Sequence, residues 1–192
     1  MEIRLSLGLL ALLGVMAFGL TSRMPEAVPA SRGDAAHELA ELEDAFAAAH
    51  DDLALAQRLS ASYLRLGEPA LAIGVVRSVT PDLVTDPILT HRLAQGYEAV
   101  GRLDDAVATA AVAHARCLRA VGSSDALAAS TPAGFACSPA ALVALEQHAQ
   151  ALSHMLRWGV TDPRGDPRAR QARRLAERRV RIASLDQASE SF

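Results

Sequence analysis

Aromatic residues are scarce in this chain, making up 4% of 192 positions. Hydrophobic residues nevertheless reach 51%, and alanine and leucine supply most of them. Small and straight-chain side chains suit closely packed helices and give little to β-sheet, so an all-α protein is expected. Lysine is absent, and all 19 basic residues are arginine. Arginine and lysine serve equally well on most solvated surfaces, so this reads as genomic composition bias. The net charge of −3 supplies no global field that would favour nucleic acid. There is no Cys-x-x-Cys-His haem site, no His-Glu-x-x-His zinc site and no glycine-rich phosphate loop. The six histidines are dispersed, and His148 and His154, six apart, cannot share a helix face. Acid pairs such as Asp51-Asp52 and Asp104-Asp105 fall at helix starts, where capping and the macrodipole explain them. Nothing pairs a nucleophile with a base. The expectation is a non-enzyme without a cofactor or metal.

Charge is unevenly placed. Residues 34–52 hold seven acids and no arginine, whereas residues 164–181 hold eight arginines against Asp166 and Glu177. Solvated helix faces, or two ends that meet within a molecule or an oligomer, account for this most simply. A basic helix on an anionic membrane or nucleic acid is the sharper alternative.

Residues 5–20, LSLGLLALLGVMAFGL, form a sixteen-residue run without charge, preceded by Arg4 and followed by Arg23. This pattern predicts an export signal or a membrane-anchor helix over residues 1–20, at the short edge of what spans a bilayer. Neither 17–19 nor 28–30 is a clean small-residue cleavage site, which favours the anchor but leaves both open. In either case the rest of the chain is expected outside the cytoplasm, in the periplasm. Residues 21–33 contain two prolines and no helical periodicity and read as a linker. Asp34 is expected to cap a helix that runs to about His50, with Leu39, Leu42, Ala45 and Phe46 on one face.

What the sequence does contain is a repeat. Leu59, Tyr63, Gly67 and Ala72 recur as Leu93, Tyr97, Gly101 and Ala106, each 34 residues on, and Ser60 matches Ala94. Helix-turn-helix units over 53–86 and 87–120 follow, each turning at its glycine. Pro69 and the Asp86-Pro87 pair fit helix starts. Leu71, Ala72, Val75, Val76 and Val79 are expected on the second helix of the first unit. The helix at 34–50 falls where the second helix of a preceding unit would lie, as a half-unit or a cap.

These residues resemble the tetratricopeptide repeat (TPR) family, whose unit also spans 34 residues. The chain departs from that pattern at Ala56 and Thr90 for its tryptophan, at Val76 and Ala110 for its phenylalanine, and at Val84 and Leu118 for its closing proline. The resemblance implies a short TPR-like α-solenoid of antiparallel helical hairpins over 34–186. It implies a concave face made by the first helix of each unit. By register, that face would carry Gln57 and Leu64, followed closely by Arg65, and then Ile88, His91, Gln95 and Glu98. The function implied is a non-catalytic scaffold or adaptor in the cell envelope that holds a protein or peptide partner. The alternative is a structural subunit of a stable membrane or periplasmic complex.

Two units bury too little alone, so the remainder should complete the stack. Residues 121–138 read as an insertion, with one short helical turn at 125–129. Ser138-Pro139 then caps a strong helix to about Trp158, stopped by Gly159. Asp166-Pro167 starts an arginine-rich helix to about Leu185 with sparse apolar positions at Leu175, Val180, Ile182 and Leu185. Residues 139–186 are expected to form a diverged third hairpin, and 187–192 a frayed tail. Cys117 and Cys137 make an even count, which in an oxidising compartment suggests a disulfide. Free thiols, or a metal held with His114 one turn from Cys117, are the alternatives.

Overall fold

A computed structural model describes residues 32–122 and 137–190. The apolar run at 5–20, most of the 21–33 linker and residues 123–136 of the insertion lie outside the described residues, the turn expected at 125–129 among them. The chain divides into two units, Met1–His37 and Glu38–Phe192, and the helical domain is the second. Among the described residues there are seven α-helices and no strand. They are α1 (Arg32–Ala48), α2 (Leu53–Leu66), α3 (Pro69–Ser78), α4 (Pro87–Ala99), α5 (Leu103–Gly122), α6 (Pro139–Arg157) and α7 (Pro167–Glu190), with a 3-10 turn at Leu83–Thr85. None of them is long and apolar enough to cross a membrane.

Local chemistry sets most of these boundaries. Asp52, Asp86 and Ser138 each accept a hydrogen bond from the backbone N–H three residues on, at 3.0, 2.7 and 3.1 Å. Pro69, Pro87, Pro139 and Pro167 occupy first positions of helices, where the missing N–H is not needed. Three helices end on a glycine in the left-handed region: Gly67 at φ 80°, Gly101 at φ 78° and Gly159 at φ 64°. At each, the residue after the glycine donates back to the carbonyl four residues before it. The bonds are Glu68 to Tyr63, Arg102 to Tyr97 and Val160 to Met155, at 2.9, 2.9 and 3.0 Å. This closed turn satisfies orphan carbonyls and reverses the chain. It also aligns the third hairpin with the other two, because Met155 stands where they have tyrosine.

Packing follows chain order. Each helix from α2 to α6 lies against the next, and α2 also touches α4. Two main cores result. The first joins Leu42, Ala56, Leu59, Tyr63, Ala72, Val75, Val76, Val79 and Leu89. The second is alanine-rich, with Ala94, Ala106, Ala110, Ala151, Ala169, Ala172 and Ala176 packed around Tyr97, Leu103, Leu152, Met155 and Val160. Small residues let helices approach closely. Gly96 does this between α3 and α4, where an added Cβ would meet Ile73 Cγ1 at 2.7 Å. Beside the second core, Cys117 at the C-terminal end of α5 is joined to Cys137 before α6, with Cα atoms 5.4 Å apart. This link packs on Ala113, Leu142 and Leu145.

The repeat carries polar partners as well as apolar positions. Tyr63 donates its hydroxyl to Glu43 on α1 at 2.6 Å, and Arg77 on α3 donates to the Tyr97 hydroxyl at 2.9 Å. Both partners lie 20 residues before their tyrosine. The two bonds thus join α1 to α2 and α3 to α4 at the same sequence offset. Burial, with the bond to Glu43, pushes the Tyr63 phenol up to about 12.

Several expectations require correction. Asp34 does not cap α1, which already starts at Arg32, inside the expected linker, and ends at Ala48 rather than near His50. Val79, expected on α3, instead follows its end at Ser78, while Leu71 lies on the helix, half exposed and opposite buried Ala72, Val75 and Val76. Ala169, Ala172 and Ala176, not named among the apolar positions of α7, are buried with Val180, while Leu175 is exposed. The helix continues to Glu190, past the expected end near Leu185 and into the stretch read as a frayed tail.

Candidate functional site

An open groove of about 410 Å3 runs between α2 and α4, lined by Ala61, Leu64, Arg65, Arg92, Gln95, Glu98 and Ala99. It follows from the first helices of the two repeats lying against each other with their corresponding faces on one side. Leu64 and Glu98 each lie three residues before a turn glycine, and Ala61 and Gln95 one helical turn earlier. Leu64, Arg65, Gln95 and Glu98 were expected on a concave face and meet here. Gln57 does not. It is buried at 2% exposure and donates from Nε2 to Asp86 Oδ1 at 2.8 Å, tying α2 to the cap of α4. Burial raises the Asp86 carboxyl despite bonds from Leu89, Gln57 and Ile88 and the nearby Arg116 charge. Ile88 is partly buried and does not line the groove.

His91 faces the third hairpin instead. Its Nε2 lies 2.8 Å from Nδ1 of His148 on α6, and the ring centroids are 4.8 Å apart. His148 Nε2 lies 3.0 Å from Glu98 Oε2, and Arg173 Nη2 on α7 donates to Glu98 Oε1 at 2.7 Å. The carboxylate requires an N–H from His148 Nε2. When His148 is neutral, its Nδ1 therefore accepts from His91 Nε2–H. Burial, reinforced by the His148 and Arg92 charges, drives His91 down to about 3 against the opposing pull of Glu98. Burial alone would raise Glu98, but the bonds from His148 and Arg173 outweigh it and hold the carboxyl below its ordinary value.

The groove therefore contains one carboxylate, and both of its oxygens are engaged from below. Its two guanidiniums meet only neutral groups among the described hydrogen bonds. Arg65 donates to Ser62 Oγ and Arg92 to Gln95 Oε1, both at 2.9 Å. The Arg92 Nε is buried without an acceptor. Burial, then the neighbouring Arg65 charge, lowers the Arg92 pKa.

Sequence reasoning missed Arg92, His148 and Arg173 as parts of this site. Arg92 was within reach, one residue after His91 and on the groove-lining helix. His148 and Arg173 lie 50 and 75 residues from Glu98, with no spacing to link them. Among the described residues no three His, Cys, Asp or Glu side chains converge to hold a metal ion. Comparison with protein-family models, characterised proteins and solved structures finds no match to this chain.

Proposed function

We propose that this protein is a non-catalytic interaction scaffold of the tetratricopeptide type, a short α-solenoid that binds a protein or peptide partner in the groove between α2 and α4. The observation that carries this is the convergence of Leu64, Arg65, Gln95 and Glu98 on one open groove. Leu64, Gln95 and Glu98 are among the positions that the tetratricopeptide resemblance implies for the concave face, and Arg65 adjoins them. Support for the solenoid comes from the sequential packing of α2 to α7, the recurring glycine turns and the tyrosine contacts 20 residues back. The uncharged run at 5–20 supports a cell-envelope location, with an N-terminal membrane anchor or an exported chain.

Site-specific photo-crosslinking in the native host tests the groove. A crosslinker at Leu64 or Gln95 should trap one discrete partner, and the same group at exposed Val112 on α5 should not. Equal labelling from both positions would end this reading.

A second reading, a fixed subunit of one complex, is favoured by the charged ends. Glu38, Glu41 and Asp44 are exposed on α1, and Arg174 and Arg178 flank a depression of about 290 Å3 on α7. Recovery of one stoichiometric partner set that dissociates as salt is raised would favour the subunit, and several transiently bound clients the adaptor.

A further inference from the structure

We propose that the outer face of α7 docks on the anionic headgroups of a lipid bilayer, laying Arg170, Arg174 and Arg178 against lipid phosphates. This rests on the membrane-anchor part of the reading above and adds the surface by which the tethered domain meets the bilayer.

The division of side chains on α7 carries it. The helix packs through Ala169, Ala172, Ala176 and Val180, all buried. Short side chains on that seam leave the long ones outside. Arg170, Arg174 and Arg178 are exposed and follow one another at four-residue spacing, so they form one stripe. Arg174 and Arg178 line a depression of about 290 Å3 with Gln171 and Leu175. The acids nearby serve other arginines. Asp166 pairs with Arg168, and Glu98 with Arg173. Glu177 lies about 100° round the helix from Arg178, at the edge of the stripe. Among the described residues, Arg174 and Arg178 make no hydrogen bond or ion pair.

The end helix of a solenoid needs only a polar outer face, and a surface of mixed sign supplies that. A stripe of one sign repels itself and is relieved by an anionic partner. Two observations select lipid as that partner. Protein interfaces are built on apolar and aromatic cores, and this face offers Leu175 alone among arginine and glutamine. On the anchor reading, the uncharged run at 5–20 also holds the chain at a bilayer. Residues 21–31, between that run and α1, reach at most about 40 Å when extended. At that range the bilayer is presented at high effective concentration, so a modest attraction is enough to dock the domain. Each guanidinium offers a fork of donors that fits phosphate oxygens.

The experiment reconstitutes the full chain into vesicles of phosphatidylcholine, alone or mixed with phosphatidylglycerol, that carry a nitroxide quencher on some headgroups. Cys117 and Cys137 are joined to each other, so Gln171→Cys supplies one reactive thiol for a fluorophore on α7. Ala47→Cys on exposed α1, at the other end of the packing order, is the control. The probe at 171 is expected to be quenched in anionic vesicles, released as salt is raised, and unquenched in neutral ones. The probe at 47 should stay bright in both. Arg174→Gln and Arg178→Gln should each lower the docked-to-free ratio about fivefold while the thermal melt stays unchanged.

Equal quenching at 171 in the two kinds of vesicle, or quenching that survives both arginine changes together, would overturn the proposal and leave the anchor in place. Failure of the full chain to float with neutral vesicles would refute the anchor instead. The docking face then stands if the chain floats with anionic vesicles and the double arginine change prevents it, and falls if the chain floats with neither. Loss of the quench on adding duplex DNA at matched ionic strength would assign the stripe to nucleic acid and overturn the lipid.

Discussion

The two halves of this domain are held together differently. From Leu53 to the start of α5, contacts recur with the sequence: each tyrosine reaches 20 residues back, and each hairpin turns on a left-handed glycine. Leucine, valine and tyrosine fill that core. From α5 onward the turn is kept, but Met155 replaces the tyrosine and alanines form the seam. Added to that seam are a disulfide and a chain of polar side chains from His91 to Arg173. A repeat is stabilised by its neighbours, so an atypical last unit needs attachments of its own. These attachments also draw Glu98 away from the groove arginines, and so the rear of the molecule sets the charge of the groove.

This contrast can be broken most strongly at the cores. Leu152→Ala and Leu89→Ala each delete a side chain with 0% exposure and should cost about 2–5 kcal/mol in denaturant unfolding. Enlargement should separate the halves. Ala172→Leu in the alanine seam is expected to cost about 1–3 kcal/mol or more, whereas Val76→Ile in the aliphatic core should cost less. Equal tolerance would remove the distinction between the two cores.

Removing the disulfide by Cys117→Ala with Cys137→Ala should cost about 3 kcal/mol on the chain-entropy account, given a sequence separation of 20. Hydrogen exchange should locate the loss in α6 and α7 and leave α2 and α3 protected. Uniform loosening would show that the halves unfold as one.

The polar chain should reveal itself through pH. Burial pushes His91 from its ordinary 6.5 down to about 3 in the folded protein, so the unfolded chain takes up a proton first as pH falls. Stability from this site is complete above pH 6.5 and declines toward pH 3, by at most about 1.4 kcal/mol per pH unit. Glu98, held below its ordinary value of 4.5, adds a loss of the same sign that sets in below about pH 4.5. Thermal melts of His91→Gln should therefore be flatter than wild type between pH 6.5 and 4.5. An unchanged slope would mean His91 titrates normally.

The smallest effect concerns the repeated tyrosines. Tyr63→Phe and Tyr97→Phe should each cost about 1.5 kcal/mol, the low end for a hydrogen bond to a charged partner. Similar values at both sites would show that α1 behaves as the second helix of a preceding unit, and a silent Tyr63 change would detach α1 from the repeat.

Much of the fold was legible because the decisive signals are local. Asp52, Asp86 and Ser138 announce helix starts, and Gly67, Gly101 and Gly159 announce ends, since few other residues accept a positive φ. The packing face of α7 was harder to read. Leu175 is its larger apolar side chain, yet the alanines at 169, 172 and 176 turn inward because only small side chains let α7 approach α6. Gln57 was misplaced for a related reason. Register located its position on the helix, but Asp86, 29 residues away, drew it under the surface.

Sequence alone determined most of the helices and their punctuation, because periodicity and capping act over a few bonds and repeat at 34 residues. Tertiary structure decided which charges in that groove are compensated. Glu98 finds His148 and Arg173 only when α6 and α7 fold back on α4, while Arg65 and Arg92 are left with neutral partners. Electrostatic pairing depends on distance in space rather than along the chain, and no spacing in the sequence encodes it.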